Sequence, residues 1–198
     1  MNHQTINFLI LLFLLSACEK NELPVPKHES GDVTTSQVSL GKYYDQQIYF
    51  NLERNTTIAQ NDKENWDLSF ECSETGMHVL LNSSKAMMST HVSNNFNLGD
   101  EHLIKDTDWN YDASSRNLDS TAIGDWTTKN ILVDRGYSLS GDKIGYCLLK
   151  IEADDRNNYV IKYSLTNDNR ERTYKVIKTS EHYFTQLSFD DGLIQNEP

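Results

Sequence analysis

The sequence predicts an all-β domain with antiparallel connections, and three observations carry that prediction. From Ser36 onward the apolar residues come in short alternating runs; turns rich in Asn, Asp, Ser and Thr separate them; and no stretch holds a helical period over several turns. The chain has 198 residues, which is one ordinary domain plus a short remainder. Its 29 acidic and 18 basic side chains leave a net charge of -11, and phosphate binding needs clustered Lys and Arg, so nucleic acid and anionic lipid surfaces are excluded as partners. Aromatic residues make up 10% of the chain, enough to supply a core and to set the sequence apart from disordered compositions.

The first element is not part of the fold. Ile6 to Leu15 is apolar except for Asn7 and lies against the N-terminus. A spanning helix needs about 20 residues, so this run is too short to cross a bilayer and suits a secretory signal. Leu15-Ser16-Ala17-Cys18 follows it and resembles the lipobox of bacterial lipoproteins, in which the cysteine is acylated and becomes the first residue of the mature protein. Met1 to Thr5 carries no Lys or Arg, so export rests on hydrophobicity. Residues 1–17 are therefore expected to be a signal peptide, Cys18 the lipidation site, and the lipid the membrane contact. Residues 18–32, with Pro24, Pro26 and mostly polar neighbours, form the expected tether. A single β domain is expected over 33–192, followed by a tail over 193–198.

Within the domain, Gln47–Leu52, Trp66–Phe70 and His78–Leu81 are strand-like, and so are Ile131–Val133, Tyr146–Ile151, Tyr159–Tyr163, Tyr174–Ile177 and Phe184–Phe189. In the run from Tyr159 to Tyr163 the odd positions face one way and Val160 with Lys162 the other. Asp154–Asn158 and Thr166–Arg172 look like the turns that join neighbouring strands. Phe50, Trp66, Phe70 and Leu80 lie on alternating strands and are expected to be buried together. Ser83–Thr121 is the least regular stretch, and loops carried on a rigid sheet are where binding residues concentrate. Besides Cys18 the chain has Cys72 and Cys147, a candidate disulfide pair in an exported protein; two buried free thiols would look the same in sequence.

No catalytic signature is present: there is no nucleophile elbow, no phosphate-cradling glycine loop and no metalloprotease helix. A carboxylate pair such as Asp67 with Glu71 cannot be assigned as a dyad on spacing alone, and no catalytic residue is expected. Zinc is disfavoured because a closed site wants four convergent donors and Cys72 with His78 has no second pair nearby. Met87, Met88 and His91 fall within five residues, with Met77 and His78 upstream. His and Met are axial ligands of haem iron. The same pattern also fits a strand with Met87 in the core and Met88 and His91 at the surface.

Three segments in order, Tyr49-Phe50-Asn51-Leu52, Asn65-Trp66-Asp67-Leu68-Ser69-Phe70 and Val79-Leu80-Leu81-Asn82-Ser83-Ser84, resemble the HmuY-like family of bacterial haem-binding lipoproteins. Ile131-Leu132-Val133-Asp134-Arg135-Gly136 and Gly145 to Ile151 resemble its later strands, so the likeness runs from about Val38 to Leu165, and the lipobox is in keeping with it. The resemblance implies an all-β, lipid-anchored outer-membrane protein on the periplasmic or cell-surface side. It also implies capture of haem between two axial ligands from the middle of the chain, for delivery to a TonB-dependent receptor. Met87, Met88, His91 and His102 are the ligand candidates. The stretch from Asp119 to Lys129, where a second ligand is expected, has neither His nor Met and carries Trp126 instead. The alternative is a module of the same fold that recognises another small ligand or a protein partner at the cell surface; a hydrolase is the third class, distinguished by needing two carboxylates on one pocket.

Overall fold

Tyr159, Ile161 and Tyr163 all fall on one side of a strand because side chains alternate, and all three are almost fully buried. They form the middle of the core. The computed structural model describes residues 31, 33–99, 104–105, 107–154, 156, 158–166, 168–192 and 194–197. The chain divides into Met1–Thr35 and Ser36–Pro198. Of the first unit, residues 31 and 33–35 are described, and they are exposed. The expected signal peptide, Cys18 and nearly all of the tether lie outside the described residues, as does His102.

The second unit is all-β and antiparallel throughout, in three sheets. β1 (Gln46–Asn51) and β2 (Thr56–Asp62) form a hairpin. β3 (Leu68–Glu71) and β4 (Val79–Leu81) join β10 (Phe184–Leu187) and β11 (Ile194–Asn196) in a four-stranded sheet of order β11-β10-β3-β4. The third sheet takes its five strands in chain order: β5 (Met88–Val92), β6 (Asn130–Asp134), β7 (Tyr146–Ala153), β8 (Tyr159–Leu165) and β9 (Asp168–Val176).

One hydrophobic cluster joins the four- and five-stranded sheets. Leu68, Phe70, Val79, Leu81 and Leu187 come from the first, and Ile131, Val133, Leu149, Ile151 and the Tyr159 face from the second. Register explains the selection: Leu68 pairs with Leu81 and Phe70 with Val79, so all four point inward, while Ser69 and Leu80 point outward. The outward side is also covered, since buried Gln186 donates to the Tyr49 hydroxyl at 3.3 Å and accepts from Asn61 at 3.5 Å, both on the β1–β2 hairpin. On the far side of the five-stranded sheet, Leu132 packs with Leu98 and Ile104, and Trp109 stacks on Tyr146 at 6.0 Å.

Several expectations are corrected here. Trp66, Phe70 and Leu80 are buried but do not meet in one cluster: Leu80 lies on the outward face, Phe50 is half-buried, and the Trp66 indole donates to Gln47 Oε1 at 2.8 Å. Thr166–Arg172 is not all turn, because β9 already begins at Asp168. Residues 193–198 are not simply a tail, because Ile194–Asn196 pairs with β10 as an added strand. The disulfide is absent: Cys72 and Cys147 are both free and buried. Cys72 Sγ lies 3.2 Å from Thr185 Oγ1 beside the four-stranded sheet, whereas Cys147 is in the middle of the opposite sheet's core face.

A buried ion network ties the sheets at one end. Asp67 accepts from Lys85 Nζ at 3.1 Å, from Arg135 Nη2 at 3.4 Å and from the Phe189 amide at 2.7 Å, and Arg135 also reaches Asp190 at 2.9 Å. Burial alone would push the Arg135 guanidinium down, but Asp190 and Asp67 outweigh it and push it up. Asn82 donates to the carbonyls of Lys63 and Trp66 at 2.7 and 2.8 Å. Gly136 holds a left-handed φ of 72° against the Lys85–Ala86 backbone, where a Cβ would collide with the Lys85 carbonyl. Asp67, Asn82, Arg135 and Gly136 thus brace the structure.

Candidate functional site

Asn82 caps a short 3₁₀ turn (Ser83–Lys85) that ends with Ala86 in the left-handed region, its amide donating to the Ser83 carbonyl at 3.0 Å. This reversal delivers two methionines to different surroundings. Met87 enters the core at 2% exposure, while Met88 opens β5 half-buried. Both line an open cavity of about 370 Å³ with Leu81, Ala86, Tyr111 and Asp112. The Asp112 carboxylate is already engaged, accepting from the amides of Leu81 and Ala122 at 2.6 Å each. Tyr111 is largely exposed at the rim.

His91 does not join this cavity. It lies three residues beyond Met88 on the same strand, hence on the opposite face, and is exposed. Its neighbour there is Asp125, whose carboxyl is held below its ordinary range first by the Thr127 hydroxyl and amide and to a smaller extent by His91. Met88 and His91 therefore cannot grip one flat ligand from the same side.

A second cavity, of about 570 Å³, opens between the β3–β4 connection and the 118–125 segment. Met77, His78, Asp119, Thr121, Gly124 and Asp125 are among its lining residues. Continuing the β3–β4 register by one step makes Glu71 and His78 cross-strand neighbours, with the Glu71 amide donating to the His78 carbonyl at 2.9 Å. The Glu71 carboxylate accepts from the His78 amide at 3.2 Å and meets His78 Nδ1 at 2.5 Å, while Ser73 donates to its other oxygen. Burial pushes this carboxyl up, but the bonds from Ser73 and His78 prevail and hold it below the usual range. In the neutral ring, a carboxylate at Nδ1 places the proton there and leaves the lone pair on Nε2. The ring is 40% exposed.

The opposite wall is anchored in the core. Ile123 is fully buried, and Trp126 packs on Tyr159 at 5.9 Å and donates its indole N–H to the Met77 carbonyl at 2.9 Å. Lys178 Nζ pins the hairpin by donating to the Gly76 carbonyl at 2.6 Å and lies 3.4 Å from Met77 Sδ.

Comparison with known protein families matches residues 43–192 to the family described as HmuY protein. The chain belongs to the HmuY family. No curated protein and no solved structure matches it. The matched range covers both cavities and the whole Asp67 network. Among the described residues, no group of three or more His, Cys, Asp or Glu side chains could hold a metal ion. Asp67 and Glu71 are separated by about 13 Å of strand. Asp67 is occupied by its buried partners and Glu71 by His78, so they form no carboxylate dyad. The Glu71–His78 pair is the feature that sequence reasoning passed over; the symmetric apolar pairs preceding it across the hairpin are the signal that reveals it.

Proposed function

We propose that this HmuY-family chain is a non-catalytic haem-binding protein of the cell envelope, held to the outer membrane by lipid on Cys18 and passing haem to a TonB-dependent receptor. Family membership supports the haem reading, and the observation that carries it is the pair of open cavities flanking the 110–125 segment. One offers the Met88 thioether and the other an imidazole already oriented by a carboxylate. Both are axial donor types for haem iron, which takes its four equatorial donors from the porphyrin. The donor types and the apolar lining of the Met88 cavity fit the group. Haem, when bound, would supply the iron; the chain would supply a donor atom and, in the Met88 cavity, apolar walls.

Titration of the purified chain with ferric haem should give a shifted, sharpened Soret band that saturates at one haem per chain. No spectral change would overturn the haem reading. The anchor is tested separately: Cys18→Ala should release the protein from the membrane fraction, and retention after a carbonate wash would contradict lipidation at Cys18.

A second reading has one observation in its favour. The 119–129 stretch has no His or Met and commits Ile123 and Trp126 to the core, which suits a module of this fold that takes a ligand without iron.

A further inference from the structure

A third cavity, of about 560 Å³, opens where the β3–β4 connection, the β7–β8 turn and the β9–β10 connection meet. It shares no lining residue with the Met88 cavity or the cavity beside His78, and its size is that of a small-molecule site. Its walls carry charge of both signs, Arg156 and Lys178 against Glu74 and Glu181, with His182 among them. That balance gives neither an anion nor a cation a net attraction. The Lys178 ammonium is already engaged by the Gly76 carbonyl at 2.6 Å, whereas the charged ends of Arg156, Glu74 and Glu181 are bound to no described residue. The Thr179 hydroxyl, which lines the same cavity, is buried with no hydrogen-bond partner, a state that costs free energy until a donor or acceptor meets it. Tyr183 completes the lining and is 83% exposed, so core packing does not account for its ring.

A polyhydroxylated ring answers these features together. Its hydroxyls donate to carboxylates and accept from a guanidinium or a threonine hydroxyl. Its C–H face, slightly positive, lies on the negative face of an aromatic ring. A zwitterion such as a dipeptide would satisfy the charges and leave the tyrosine ring without a partner. We propose that this cavity is a carbohydrate-binding site for a neutral mono- or disaccharide, with Tyr183 as the stacking platform and Glu74, Glu181 and Arg156 as the hydrogen-bonding groups. The site is independent of the haem reading, since the cavities share no residue and neither function needs the other.

The test is an amide NMR titration of the full chain, to millimolar concentrations, with glucose, galactose, maltose, cellobiose and lactose, and separately with glycylglycine. The expected result is saturable shifts centred on the lining residues with at least one sugar and none with glycylglycine. Tyr183→Ala should weaken that binding by about tenfold or more, as truncation of an aromatic anchor does, while Tyr183→Phe keeps it. Glu74→Gln and Arg156→Ala should each weaken it as well. All three side chains are exposed, so the urea midpoint should stay at the wild-type value and a loss of binding is not a loss of fold. No shift with any of these sugars would overturn the proposal. Equal shifts with glycylglycine would overturn it in favour of a zwitterion site, and sugar affinity unchanged in Tyr183→Ala would overturn the assignment to this cavity. The Soret titration is unaffected by any of these outcomes, so the two readings fail separately.

Discussion

Replacing Asp67 by Ala removes the centre of the buried network and should be the most damaging single change to the frame. Asp67 is fully buried, and Lys85 and Arg135 are 3% and 4% exposed, so the variant leaves two cations in a dry environment with one carboxylate fewer. Breaking a buried ion pair by deleting one partner costs about 3–5 kcal/mol. Arg135 keeps Asp190, which limits the loss; Lys85 loses its ion pair and is left with Asp190 acting on it through space, and the Phe189 amide loses its acceptor. The estimate is therefore about 3–5 kcal/mol for Asp67→Ala, with Asp67→Asn recovering the share of about 1–3 kcal/mol that belongs to the amide. With a urea slope near 2 kcal/mol/M, the midpoint should fall by about 1.5–2.5 M at unchanged slope. Equilibrium urea unfolding followed by tryptophan fluorescence measures it. A loss below about 1 kcal/mol would show that water or another group replaces the carboxylate, and the network would no longer explain how the two sheets are held.

Gly136→Ala should cost about 1–3 kcal/mol in the same assay, since the added methyl meets the Lys85 carbonyl at a positive φ; a neutral effect would mean that the Lys85–Ala86 backbone yields. The phenols of Tyr159 and Tyr163 are pushed well up, by burial first, so the stability they contribute is complete below about pH 10 and is lost as pH rises further, which alkaline urea melts should register as a falling midpoint. Glu71 and Asp190 are held low, so their contribution is complete above about pH 4 and is lost as pH falls through their folded values; a midpoint unchanged on acidification would contradict these pairings. Cys72 and Cys147 should react with a thiol reagent only on unfolding and without prior reduction, whereas an intact mass lower by two hydrogens would restore the disulfide.

The strands that carry the core were legible because alternation marks them: Tyr159, Ile161 and Tyr163 need no more than a period of two. β2 was not legible, because Thr-Thr-Ile-Ala-Gln-Asn-Asp has little apolar surface to bury and lies in a hairpin with much of its surface exposed. β5 lies inside the irregular-looking stretch Ser83–Thr121 and gives no alternating signal, since its buried position is Ser89 and its apolar residues lie on the other face. The start of β9 looked like turn because Asp-Asn-Arg-Glu-Arg is charged, which is how an edge strand resists pairing with other chains. At the site, spacing brought Met87, Met88 and His91 together in the sequence, and the alternation of one strand separated them in space. His78 gained its partner from hairpin register, and Asp67 gained Arg135 from 68 residues away, a distance at which no local pattern gives a signal.

Amide NMR spectra of the full chain, recorded before and after stoichiometric addition of ferric haem, test the central claim most directly, because paramagnetic broadening locates the iron. The expected result is loss of signal confined to residues lining the cavities that flank the 110–125 segment, with the amides of β8 and the Asp67 network preserved. Broadening centred on the Asp67 network, or no broadening at all, would contradict haem binding at these cavities.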